Sequence, residues 1–425
     1  MQRTRTVFFG NKVLMATFVL AMFGWGFGFY GTPVYLKTVV ERTGWSIALV
    51  SGAVTLHFLL GAVVLANFPR LYKALGVPRV TFLGALLSAV GTYGWAVSVT
   101  PFHLYLSAGL SGAGWVALGA AAVNRLIAPW FVAKRPAALG LAYNGASVGG
   151  IVFASLWVTL IERWSFATAA AVLGATMIVV IGMLCTRVFV HTPASLGQHP
   201  DDGAPPATKG RAAAVTTVAV RSFWSDRHFV TLTLGMALGL FAQIGLVAHL
   251  FFFLVAGLGD QLAGFAMSFA TFCAMAGRSV ISRTISADSN RRRVACICYG
   301  VQCIGSITLM LFGDNAAMLW IGLALFGFGI GNATSLPPLI AQTEFTPDDA
   351  QRAIPLMVGV SQAAYAFAPA VFGLVRSWEG SAGWAAGSAM FTLTALVQVG
   401  AMVALCASGL PSCWRSSACR SKSPR

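Results

Sequence analysis

Twelve apolar stretches, each close to 20 residues long and nearly free of charge, divide this sequence between about Asn11 and Leu410. Roughly 20 apolar residues in a helix cross the hydrocarbon core of a bilayer. With 57% hydrophobic residues, 9% charged residues and a mean hydropathy of +0.77, the chain holds too much apolar surface for a water-soluble core of ordinary proportions. The expected fold is an all-α integral membrane protein with twelve transmembrane helices in two pseudo-symmetric six-helix bundles. Residues 1–190 form the first bundle, 191–228 a linker rich in Pro, Gly and charge, 229–410 the second bundle, and 411–425 a basic tail.

Charge sets the orientation. Taking odd-numbered connections as external, only Lys37, Arg42, Arg163 and Arg376 of the 28 Lys and Arg residues fall outside. This positive-inside bias keeps both termini cytoplasmic, and it accounts for the net charge of +16 without nucleic acid. The first apolar run is too long for a cleaved signal and is expected to remain as helix one. The eight cysteines lie mostly in or beside helices, and the Cys296-x-Cys298 pair has no neighbouring His, so no metal is expected. Nor is a cofactor: there is no nucleotide-binding loop, and the six histidines are scattered, which argues against an enzyme.

The stretch 130–150, WFVAKRPAALGLAYNGASVGG, joins the fourth and fifth helices. Trp130 and Phe131 suit the headgroup level, Lys134 and Arg135 hold the turn inside, and Gly140, Gly145 and Gly149 leave a small-residue face. Residues 130–149 resemble the signature of the monocarboxylate transporter family, part of the major facilitator superfamily. The loop 69–79 resembles the superfamily's motif between helices two and three through Leu71, Gly76 and Arg79, although Lys73 stands where an acid is expected. The resemblance implies the major facilitator fold and gradient-driven transport of a small organic anion, a monocarboxylate, with proton symport or anion antiport.

Polar groups deep in the helices are the candidate site: Tyr30, Asn144, Gln243, Arg278, Asn332, Gln362 and Tyr365 for substrate, and His57 and His249 for proton coupling. Arg278 is a permanent charge far from a helix end, and no acid is placed in a helix to neutralise it. An incoming carboxylate would neutralise it by two-pronged hydrogen bonding, whereas snorkelling toward Arg283 needs no ligand. The resemblance favours the substrate role, since the family carries an Arg at this point of helix eight. It also shows two departures: Ala274 replaces the acid one turn earlier, and Val34 replaces the Lys after the helix-one proline. Residues expected to gate the cytoplasmic side are Arg70, Lys73, Arg79, Lys134, Arg135, Arg283, Glu344, Asp348, Asp349 and Arg352.

Helix ten carries Gly327, Gly329 and Gly331 before Pro337 and Pro338, so a break is expected there. The alternative function is an exporter of amphipathic or drug-like compounds, suggested by the aromatic content. The short loops suit a bacterial inner membrane, and a monomer is expected.

Overall fold

The computed structural model describes residues 8–203, 223–284, 289–382 and 387–407. Among these, every regular element is a helix, and twelve are long and apolar enough to cross a membrane. Spans 1 to 6 are Gly10–Thr43, Ile47–Ala66, Val77–Val97, Pro101–Ile127, Ala137–Arg163 and Phe166–Arg187. Spans 7 to 12 are Arg227–Leu258, Asp260–Thr284, Arg291–Phe312, Ala316–Ala333, Asp348–Glu379 and Ser388–Ala407. The basic tail 411–425 and the linker residues 204–222 fall outside the described residues. Phe8 and Ala407 mark one membrane face, here the basic side; the loops at 44–46, 98–100, 164–165 and 259 lie on the far side.

Helix starts are written in the sequence as polar caps. Ser46, Thr100, Ser165, Asp226, Asn290, Asn315 and Thr346 each accept a backbone N–H from the first turn that follows. Such caps satisfy donors that the helix itself leaves open. Phe68–Leu75, expected as a loop, is a short helix lying beside spans 2 and 3, with Phe68 buried against Val80 and Val116.

Four spans are interrupted. Span 1 breaks over Phe29–Gly31, span 4 over Ala117–Gly119 and span 11 at Phe367, and span 10 breaks over Thr334–Ser335 when the following helix Leu336–Glu344 is counted as its continuation. Pro33, Pro337 and Pro369 lie within the first turns of the resuming helices, where a missing N–H removes no helical bond. The span 4 break has no proline to announce it.

Glycines set how closely the helices approach. A Cβ on Gly145 or Gly149 would lie 2.1 Å from the Phe18 carbonyl or 2.4 Å from that of Met22, so spans 5 and 1 touch backbone to backbone. Gly327 and Gly331 do the same against Ala270 and Ala274, joining span 10 to span 8. The buried apolar residues of the two halves merge in one cluster toward the far side, through Phe27, Trp157, Leu250, Phe326 and Phe372. Toward the basic side separate clusters form, around Trp130 in the first half and around Leu232 and Met357 in the second. The halves are therefore joined at one end and parted at the other. Gly149→Val should cost about 1–3 kcal/mol by overpacking span 1, read as a lower midpoint in a detergent thermal-unfolding assay.

Candidate functional site

The polar groups near the middle of the molecule occupy the parted end, just below the seam. Arg278 is half-buried, and its Nε donates to the Gly331 carbonyl at 2.9 Å. That carbonyl belongs to the last turn of the first segment of span 10, whose terminal carbonyls the break leaves open. A cation is favoured at such a C-terminal end. Arg278 thus neither snorkels to Arg283 nor pairs with an acid, and among the described residues its Nη groups have no hydrogen-bond partner.

Span 5 faces span 8 across the interface between the halves. Ser268 Oγ donates to Ser155 Oγ at 3.4 Å toward the far side. Asn144 lies three turns before Ser155 on the same helix face, and Arg278 lies about three turns after Ser268 on the antiparallel partner. The two therefore sit at one depth on facing helices, and both are half-exposed. Gln243, with its Oε1 buried and unpartnered, shares a face of span 7 with Val247 and Leu250 and sits one to two turns nearer the basic side. Gln362 is buried one turn below Tyr365, whose ring meets Phe58 of span 2 edge-on at 6.0 Å.

Above this polar layer lies a narrow apolar cleft lined by Phe29, Tyr30, Met267, Thr271, Phe326 and Ile330, with Val247, Leu250 and Ala270. Tyr30 is held in the span 1 break, within electrostatic range of Arg278. Gly150 packs against both Tyr30 and Thr271, where a Cβ would come within 2.6 Å. Asn332 does not join this group. Its Nδ2 donates to the Phe328 carbonyl, and its side chain turns toward Ala295, Cys298 and Tyr299 of span 9, because Gly327 and Gly331 hold the other face of the helix against span 8.

Beyond the cleft, the far side is sealed by contacts that the sequence did not signal. Lys37, 5% exposed, pairs with Asp260 of span 8 at 2.8 Å and with Glu41 at 2.7 Å. Gln261 bonds Glu162 and Thr159 of span 5, and Thr55 accepts the Ala370 N–H at 3.1 Å. His249 is fully buried in the same seam, with Nε2 3.0 Å from the Pro369 carbonyl and 3.5 Å from Ser51 Oγ of the opposite half. A carbonyl only accepts, so Nε2 carries the proton, and Nδ1 has no partner. Arg376 rests on Phe252 and donates to the His249 carbonyl. His57 is bonded differently, entirely within the first half. Its Nε2 donates to Gly28 O at 3.0 Å, its Nδ1 lies 2.8 Å from Ser111 Oγ, and its ring stacks on Trp115.

On the basic side, among the described residues, no ion pair crosses between the halves. The expected gate groups do other work or face solvent. Glu344 is held by Arg292, which also donates to the His228 and Leu405 carbonyls and so fastens spans 7, 9 and 12 within one half. Asp349 accepts the Thr346 hydroxyl at a helix start. Among the described residues, Arg70, Lys73, Arg79, Lys134, Arg135, Arg283, Asp348 and Arg352 form no ion pair across the cleft. The Lys134 loop is held by the linker instead. The Asp201 carboxylate accepts the N–H groups of Val132, Ala133 and Lys134 at 2.7 to 3.2 Å. Burial alone would raise the Asp201 pKa, but these donors, with Lys134, hold it below the ordinary value.

A family model described as Major Facilitator Superfamily matches residues 14–369. The chain belongs to the major facilitator superfamily. Its fold is that of the crystal structure of the nucleoside transporter NupG, with a TM-score of 0.71 and 12% identity over 95% of this chain and 99% of that one. "MFS-type transporter 1" of Ophiocordyceps sp. is 25% identical over 279 residues, 64% of this chain and 58% of that protein, so the match spans less than two thirds of the relative's length. "Monocarboxylate transporter 13" of Bos taurus is 30% identical over 168 residues, 39% of this chain and 37% of that protein.

Two predictions follow from this superfamily architecture. Lys37→Gln or Asp260→Asn should raise far-side labelling of a cysteine introduced at Ser268 by about fivefold, the equivalent of roughly 1 kcal/mol, and the double variant should add little to either. At neutral pH, Asp201→Asn should speed hydrogen exchange of the Val132, Ala133 and Lys134 amides by about tenfold. Because the folded pKa of Asp201 is depressed, its contribution is present above the ordinary carboxyl range and lost as pH falls through the folded value, below about pH 4; the wild-type amides should therefore keep their protection from pH 7 to pH 5.

Proposed function

We propose that this protein is a secondary transporter of a small organic anion, a monocarboxylate, alternating access by rocking its two halves about the central polar layer. The observation that carries the reading is Arg278: a half-buried guanidinium with one donor spent on a helix end and its Nη groups turned toward no acid. Leaving a charge at that depth without a partner costs roughly 2.5 to 3.5 kcal/mol on insertion scales. A carboxylate bound to its two Nη groups would offset that cost with fork geometry. Asn144 on the facing helix, Tyr30 and Gln243 would orient it. The partial likeness to monocarboxylate transporters points the same way.

Positive-inside bias makes the basic side cytoplasmic, so the chain would stand open to the cytoplasm, in a bacterial inner membrane. Coupling to protons would run through His249 rather than His57. Rocking must break the His249–Ser51 contact, since the two belong to opposite halves, whereas rigid-body motion leaves every bond of His57 intact. Exchange of one anion for another is the other coupling open to this site. The apolar cleft above Arg278 favours a second reading, export of amphipathic compounds.

Counterflow in proteoliposomes separates these. Labelled monocarboxylates should accumulate transiently through the wild type in vesicles preloaded with the unlabelled anion, and Arg278→Gln should lower the initial rate at least about tenfold, the loss of one charge-assisted hydrogen bond. Equal rates for wild type and variant would remove Arg278 from the substrate site and leave the export reading.

A further inference from the structure

The Cys296-x-Cys298 motif is divided by the helix that carries it. Residues two apart do not share a helix face, so Cys298 is buried toward Asn332 and Leu336, while Cys296 is half-buried and turns to span 12. There its Sγ lies 3.5 Å from Cys406 Sγ and donates to the Met402 carbonyl at 3.7 Å. Spans 9 and 12 run antiparallel, and their pairing continues on both sides of this contact. Arg292 reaches the Leu405 carbonyl, and Cys303 Sγ lies 3.9 Å from the Ala395 carbonyl. Regular helix packing therefore brings the two thiols together. They also lie at the basic-side edge: Cys406 is exposed one residue before the end of span 12, and Cys296 is one turn from the exposed Arg293. An exposed Arg reaches headgroup level, which puts Cys296 within roughly 5 Å of it along the helix.

We propose that Cys296 and Cys406 form an oxidant-sensing dithiol that closes reversibly as a disulfide between spans 9 and 12. Closure brings the sulfurs from 3.5 Å to about 2.05 Å, an approach shared by two side chains. The oxidant is a peroxide. The exposed Cys406 thiolate attacks one peroxide oxygen, the O–O bond breaks, and the leaving hydroxide is protonated to water, which gives a sulfenic acid on Cys406. Cys296 sulfur then attacks Cys406 sulfur and displaces the sulfenic oxygen as a second water. Two thiols lose two electrons and two protons, and one peroxide becomes two waters. On the cytoplasmic side proposed above, the resting pair is the dithiol, because that compartment keeps thiols reduced. Both cysteines belong to one half, so rocking leaves the pair together and the bond can close in any transport state. The bridge would secure the end of span 12, which Arg292 and Arg227 hold through the Leu405 and Ala407 carbonyls. It would join residues 110 apart in the chain, and long loops gain most from such a link.

The test treats the full chain in lipid nanodiscs with hydrogen peroxide, blocks remaining thiols with a maleimide and maps the peptides by mass spectrometry. The wild type should give a linked Cys296–Cys406 peptide lacking two hydrogens. Maleimide labelling of Cys406 should fall at least about tenfold and return on adding dithiothreitol. The oxidised protein should unfold at a midpoint at least about 3 °C above the reduced one. Two variants, each made in a Cys413→Ser, Cys419→Ser background, then separate a pair from independent thiols. In Cys296→Ser, excess peroxide should abolish Cys406 labelling without recovery, since a sulfenic acid with no partner goes on to sulfinic acid. Cys406→Ser should show neither the link nor the rise in midpoint. Linkage of Cys406 to Cys413 or Cys419 in the wild type, in place of Cys296, would overturn the proposal. So would equal recovery of Cys406 labelling with and without Cys296, or a Cys406 that peroxide leaves fully labelled.

Discussion

The seam on the far side is the constraint on which the rest of the molecule depends. There the two halves share one apolar core, and within it are set a Lys37–Asp260 ion pair and a sealed histidine. Apolar burial supplies attraction without direction, while the ion pair and the Thr55–Ala370 and Ser155–Ser268 bonds fix the register of span 1 on span 8, span 2 on span 11, and span 5 on span 8. With that end fastened, the parted end must hold the polar residues. Arg278, Asn144 and Gln243 sit there because they lie a few turns basic-ward of residues locked into the seam.

The helix breaks supply what an unbroken bundle could not. In span 1 the interruption turns Tyr30 into the interface, and in span 10 it opens the carbonyls on which Arg278 rests. Polar backbone exposed at this depth is tolerated only where it meets protein or a water-lined cavity. The break in span 1 lies on the cleft, through Phe29 and Tyr30. Glycines hold the adjoining helices close enough that the arrangement is stiff: spans 1 and 5 touch through Gly145 and Gly149, and spans 8 and 10 through Gly327 and Gly331.

Much of the fold was legible because the membrane reduces folding to one strong signal. Apolar length gave the spans, and proline position gave the break in span 10. The site was legible only in part. Arg278 stood out as a charge without a sequence partner, but its hydrogen bond to Gly331 crosses between helices and left no pattern to read. Asn332 was as polar and as deep, yet it turns toward span 9, since two glycines commit the opposite face to span 8. Lys37 looked like an ordinary external lysine; burial against Asp260, more than 200 residues away, makes it part of the seal. Asp201 looked like one charge in a polar linker and instead caps the loop after span 4.

The sequence by itself determined the class of fold, the number and order of the spans, the sidedness of charge and the chemical character of the central residue. These follow from hydropathy, proline and charge, which act locally or along one helix. Only the tertiary structure decided which end of the molecule is closed, which polar residues share a cavity, and which charges find partners. Those depend on which faces of distant helices meet, and in a chain whose helices are apolar all round, no periodic pattern marks the face turned toward a neighbour rather than toward lipid.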